Sequence, residues 1–80
     1  MPLYFFDVHN TRFSTIDDEG RECGDRTAVG AHALTILCAI AQDKPLDHLH
    51  SQLGAIVRDA DNHVVQTATV SLSTTWVGEA

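Results

Sequence analysis

The chain has 80 residues, a mass of 8.7 kDa and a formal net charge of −6 at pH 7. That length makes one domain, and the charge repels nucleic-acid phosphates and anionic bilayers, which excludes both as expected partners. With 44% hydrophobic and 20% charged residues, the composition is that of a folded chain rather than a disordered one.

Leu3 to His9 reads as a strand. Tyr4, Phe6 and Val8 share one face by period two, and Leu3, Phe5, Asp7 and His9 share the other. Asn10-Thr11-Arg12 is turn-like, and Phe13 to Ile16 returns as a short second strand. Asp17 to Gly24 is a polar loop in which Gly20 supplies a positive φ.

Asp25 is placed to cap a helix over residues 26–42. Val29, Ala33, Ile36, Leu37 and Ile40 recur at spacings of three and four and define its buried stripe. Leu34, Cys38 and Ala41 are expected to widen that stripe, with Arg26, His32 and Thr35 off its centre. Pro45 stops the helix at or before Lys44.

Leu46 to Ser51 is a connector with room for a single helical turn. Leu53 to Arg58 is a third strand, Asp59-Ala60-Asp61-Asn62 a turn, and Val64 to Leu72 a fourth strand. In that last strand Ala68, Val70 and Leu72 alternate with Thr67, Thr69 and Ser71. The expected fold is α+β of order ββαββ: a four-stranded antiparallel sheet with one helix packed on one face. Residues 1–72 form this single domain, and 73–80 form a tail that carries Trp76.

Apolar burial and chain-ordering entropy nearly cancel for a chain of this size, so self-association is a natural remedy. One helix covers only part of a four-stranded face, which leaves sheet surface and edges open for a second copy. Trp76 lies outside the expected elements, so it either folds back on the core or docks on another subunit. Phe5 and Phe13 join it as interface candidates. The charge of the chain argues against base stacking by Tyr4, Phe5, Phe6 and Phe13.

No catalytic or metal-binding constellation stands out. Asp17, Asp18, Glu19 and Glu22 offer carboxylates, but a calcium loop begun at Asp17 places Glu22 where glycine belongs and Ala28 where glutamate belongs. The Asp59, Asp61 and His63 run fails the same test at Val64 and Val70 and is better explained as a hairpin turn. His48 and His50 supply at most two nitrogen ligands, short of a zinc set, so the histidines are expected at the surface. If a metal binds, Asp17, Asp18, Glu22, His48 and His50 are the residues to hold it; no cofactor is expected.

Of the two cysteines, Cys38 sits in the most apolar segment and is expected to be buried. Cys23 is expected to be the more exposed thiol, beside Arg21 and ahead of the helix start, where reactivity would arise. Nothing supplies a nucleophile with a base and an orienting acid, so the chain is not expected to be an enzyme. The N-terminus lacks the basic and apolar regions of a signal peptide, and Ala28 to Ala41 is too short and too polar to cross a membrane. The expected location is the cytoplasm.

The opening MPLYFFDVHN, the turn DDEGRE, the helix start GDRTAVGAHAL and the strand–DADN–strand ending resemble one family of short proteins from rhizobia and related alphaproteobacteria, a domain of unknown function. Its members begin Met-Pro-x-Tyr-Phe-Phe. The resemblance covers about residues 1–72 and rests most on Pro2, Tyr4, Phe5, Phe6, Asp18, Gly20, Glu22, Ala28 and Ala33. Asn62-His63 departs from the pattern, since members commonly carry glycine in that turn, and VSLSTTWVGEA looks particular to this chain. The resemblance implies the fold and no activity. At the level of fold alone the chain is also similar to HicB-type antitoxins, small acidic proteins with a ββ unit leading into a helix.

The function expected from these features is that of a non-enzymatic, self-associating binding or regulatory accessory, a homodimer with a possible basic protein partner. An antitoxin-like inhibitor that masks a basic partner is the alternative, and a small basic protein encoded next door would mark it. A metal- or ligand-binding stress protein is a further alternative, which thermal shifts across a metal panel would mark.

Overall fold

A computed structural model describes residues 1–78. The element order is β1 (Leu3–His9), β2 (Ser14–Thr15), β3 (Arg21–Glu22), α1 (Arg26–Asp43), a short 3-10 turn (Pro45–His48), β4 (Gln52–Arg58) and β5 (Val64–Ser71). The sheet is antiparallel in the order β2-β1-β4-β5, and β3 pairs with β1 as a fifth strand. The fold is thus α+β with one helix, as the residue pattern implies, but with five strands instead of four.

The extra strand comes from the acidic loop. Residues 17–24 were expected to be irregular, yet Arg21 and Glu22 pair with Tyr4 and Leu3. The second strand is correspondingly shorter than 13–16, reduced to Ser14–Thr15 opposite His9 and Val8. A run of two residues carries no alternation signal, which is why periodicity cannot find β3.

The helix starts where the cap dictates. Asp25 is extended, and its Oδ1 accepts the Ala28 N–H at 2.8 Å. The helix ends at Asp43, ahead of Pro45. Val29, Ala33, Leu37 and Ala41 form its buried line against Leu53, Ala55 and Val57 of β4 and Phe6 and Val8 of β1. Ile36 and Ile40 flank this line, with Ala68, Val70 and Leu72 closing the side under β5.

Four expectations about burial are overturned, at Cys23, Leu34, Cys38 and His48. Cys38 is exposed and Cys23 is 4% exposed, the reverse of the sequence reading. The buried helix line advances by four residues from Val29 to Ala41, and Leu34 and Cys38 sit one position beyond it, turned to solvent. Cys23 follows β3 directly, its N–H bonded to the Pro2 carbonyl, so its side chain joins the core. His48, expected at the surface, is buried with Nδ1 lacking a partner among the described residues. The 3-10 turn begun by Pro45 turns it inward.

The packed body ends at Leu72, which bridges Leu49 and accepts the His50 N–H at 2.9 Å. Residues 73–78 carry no regular structure and are exposed throughout; the rest of the expected tail, residues 79–80, lies outside the described residues. The long axis is 54 Å. An 18-residue helix and an eight-residue strand each span only about 27 Å, so the tail extends the molecule instead of folding back over it. Among the described residues, no helix is long and apolar enough to cross a membrane.

Candidate interface

The surface that stands out is the outer edge of β5. This strand pairs only with β4 among the described residues, and its other side is open. Which residues present their backbone there follows from the chain itself. The Leu72 carbonyl points inward, to His50, and backbone groups alternate along a strand. Gln66, Ala68 and Val70 therefore bond inward to β4, and the N–H and C=O groups of Thr67, Thr69 and Ser71 point outward; at Val65, the extra residue opposite the Val57–Arg58 step, the alternation breaks. The strand VVQTATVS holds no charge and no proline, two devices that blunt an edge, and its one bulge is confined to the start, at Val65. Val64 and Val65 are exposed at its start, and beyond its end Trp76 and Val77 are 78% and 88% exposed.

Beside the start of β5 lies a cleft of about 530 Å³ lined by Tyr4, Arg26, Val29, Val65 and Gln66. Gln66 faces the helix across Gly30, where a Cβ would stand 3.3 Å from Gln66 Oε1. That oxygen is sealed from solvent and has no hydrogen-bond donor among the described residues. A buried acceptor without a donor is costly, so the cleft is incomplete as it stands.

The opposite edge is closed. β2 covers Val8 and His9 of β1, and β3 covers Leu3 and Tyr4. Between them Asp17 takes the place of a strand: its Oδ2 accepts the Phe6 N–H at 3.0 Å. Its Oδ1 accepts from Glu19 and Gly20, at 3.0 and 3.1 Å. Burial pushes the Asp17 carboxyl up, but the three backbone donors and the Arg58 charge outweigh it and hold the group below the ordinary carboxylate range.

Arg58 locks this loop to the rest of the sheet. Its Nε and Nη2 grip both oxygens of Asp7, at 2.7 and 3.0 Å. Nη2 also donates to the Asp17 carbonyl, Nη1 donates to Asn62 in the β4–β5 turn, and the guanidinium lies over the Phe5 ring at 5.1 Å. Asp7 accepts the Asp17 N–H as well, and the hydrogen bond from Arg58 leads the causes that lower its carboxyl. The sequence reading missed this network, because Asp7 and Arg58 are 51 residues apart. The signal within it was a charge on a strand face otherwise held by Leu3 and Phe5.

The interface candidates are thus spread out. Trp76 belongs to the tail beyond β5, Phe13 to the exposed β1–β2 turn at the other side of the sheet, and Phe5 is half-buried beneath Arg58. The metal candidates are not gathered either. Both oxygens of Asp17 are occupied by backbone donors, Glu22 is paired in β3, and His48 is buried. His50 takes a φ of +58° and lines a shallow hollow with His9. Asp18 and Glu19 stay exposed beside Ile16 and His32. Among the described residues, only Asp59, Asp61 and His63 bring three potential ligand atoms within 4.8 Å. Asp59 Oδ1 there accepts the Asp61 and His63 N–H groups, both at 2.9 Å, which is the bonding of a hairpin turn.

No curated protein and no solved structure matches the chain. A family model, Domain of unknown function (DUF6894), matches residues 3–71, from the first residue of β1 to the last of β5. The chain belongs to the DUF6894 family.

Proposed function

We propose that this chain is a non-enzymatic accessory protein that acts as a homodimer in the cytoplasm, joined through the outer edge of β5, and serves binding or regulation. The observation that carries the reading is that edge: uncharged, without proline, and open and regular from Gln66 to Ser71 beyond the bulge at Val65. Two such edges satisfy each other by antiparallel pairing, the way edge strands recruit further strands. The two free cysteines suit a reducing compartment.

Light scattering over a dilution series, with and without EDTA, tests this. The expected result is a dimer that dissociates on dilution and ignores EDTA. Thr69→Pro removes an outward N–H and leaves the bonds to β4 intact, so a folded monomer is expected from it. A wild-type monomer at high micromolar concentration overturns the reading, as does a dimer that EDTA dissolves.

A second reading has its own support. Asp18 and Glu19 expose carboxylates beside the apolar side chain of Ile16, on a chain of net charge −6. That surface suits a basic partner protein held by charge and one apolar anchor. Salt-sensitive binding to such a partner, lost in an Asp18→Asn, Glu19→Gln variant that still dimerises, would place the regulatory contact there.

A further inference from the structure

We propose that Trp76 of each copy seats in the cleft of the other, between the first turn of α1 and the start of β5, and that the Gln66 amide turns its Oε1 out of its sealed position against Gly30 to accept the indole N–H. This rests on pairing through the β5 edge and names the contact that completes it.

Chain direction makes the case. Trp76 lies five residues beyond Ser71 and Gln66 five residues before it, each about 17 Å away along an extended chain. Within one molecule these distances run in opposite directions. A tight reversal at residues 73–74 would bring Trp76 back only as far as Ser71, so a chain cannot fill its own cleft. Antiparallel pairing of two β5 strands reverses the geometry and carries the tail of one copy toward the start of β5 in the other.

Register follows from the backbone. Odd residues from Thr67 to Ser71, beyond the bulge at Val65, carry the outward groups, so odd must bond with odd across a two-fold axis normal to the sheet. With Ser71 facing Ser71 of the second copy, Thr69 meets Ser73, Thr67 meets Thr75, and Gln66 stands opposite Trp76. Gln66, Ala68, Val70 and Leu72 lie on the helix side, and continued alternation puts Trp76 there too.

The cleft matches this occupant chemically. Gln66 Oε1 is a buried acceptor lacking a donor, and the indole nitrogen is a donor only. Val29, Val65 and Tyr4 offer apolar walls. Arg26, with no ion pair among the described residues, is placed to lie over an aromatic face.

Trp76 is the sole tryptophan, so its fluorescence reports this contact alone. Emission and iodide quenching are followed beside native mass across a dilution series. The expected result is blue-shifted, protected emission in the dimer that turns red and quenchable as the mass halves. Trp76→Ala is expected to raise the dimer dissociation constant about 10- to 100-fold, as an aromatic anchor does. Gln66→Leu removes the acceptor and is expected to raise it about fivefold with the emission red-shifted, the scale of one hydrogen bond. In a Cys38→Ser background, Ser71→Cys is expected to cross-link two copies on oxidation faster than Thr67→Cys.

A dimer whose Trp76 is as quenchable as in the monomer overturns the seat and leaves edge pairing standing. A wild type that is monomeric at every concentration overturns both. Protected emission that persists in the monomer overturns the exchange between copies, since the tail would then be covered by its own chain. A dimer whose dissociation constant and emission are unchanged by Gln66→Leu overturns the hydrogen bond and its register.

Discussion

Asp17 shows how much one side chain does in so short a chain. Its carboxylate serves three backbone N–H groups that no strand reaches, and its own carbonyl and N–H bind Arg58 and Asp7. Asp17→Ala strands the Phe6 donor in a half-buried position, and each unsatisfied donor costs about 1–3 kcal/mol. Thermal unfolding is expected to show a loss of about 2 kcal/mol, which lowers the midpoint by about 8–16 °C in a domain this small. A midpoint within a degree or two of wild type would mean that water replaces the carboxylate. The sequence shows Asp17 only as one acid among four. Local reading sees an acidic turn, and the role depends on Phe6, 11 residues away.

At the scale of elements, the legible parts were those with a period. The helix, its Asp25 cap, its stop before Pro45 and the β4–β5 hairpin follow from spacing and turn chemistry. β2 was anticipated within 13–16, whereas β3 was illegible, because a two-residue pairing inside a polar loop leaves no pattern. Gly20 does mark their junction. Its φ is +76°, and an added Cβ would lie 3.0 Å from the Tyr4 carbonyl oxygen and from the Phe5 ring. Gly20→Ala combines backbone strain with a clash against a strand, an expected cost of about 1–3 kcal/mol. Urea unfolding checks it: the midpoint should fall, and hydrogen exchange should accelerate at Arg21 and Glu22 before β4. An unchanged midpoint would show that the loop can shift away from β1. The swapped burial of Cys23 and Cys38 has the same origin, since β3 is what carries Cys23 into the core.

For the whole molecule, acid is expected to act in two stages. Burial holds the His32 imidazole below its ordinary value near 6.5, with the charge of Arg21 adding to the effect. The unfolded chain therefore takes up a proton first, and stability begins to fall as pH drops below about 6.5. Asp7 and Asp17 are held below about 3.8, so their contribution is complete above that value and is lost as pH falls through their lower folded values. Denaturation midpoints from pH 8 to 2 should show both stages. His32→Leu should remove the first, and Asp7→Asn should weaken the second. A single loss confined to the region below pH 4 would mean that His32 is as solvated in the folded chain as out of it. None of this was legible beforehand, because it depends on His32 lying edge-on to Phe6, at 4.7 Å between centroids.

The carboxylate that substitutes for a strand at Phe6 also limits growth. A sheet with one open border can join one neighbour and then has nothing left to offer, so assembly ends at two. Protonating Asp17 leaves a weaker acceptor at the middle of β1 and loosens a second border in every molecule. Two free borders per molecule have no natural endpoint, and each addition recreates the surface that accepts the next. Acid strong enough to reach Asp17, below the ordinary carboxylate range, would thus turn the proposed self-limiting pair into a fibril-forming monomer, through one proton on a residue remote from the strand where the pair is joined.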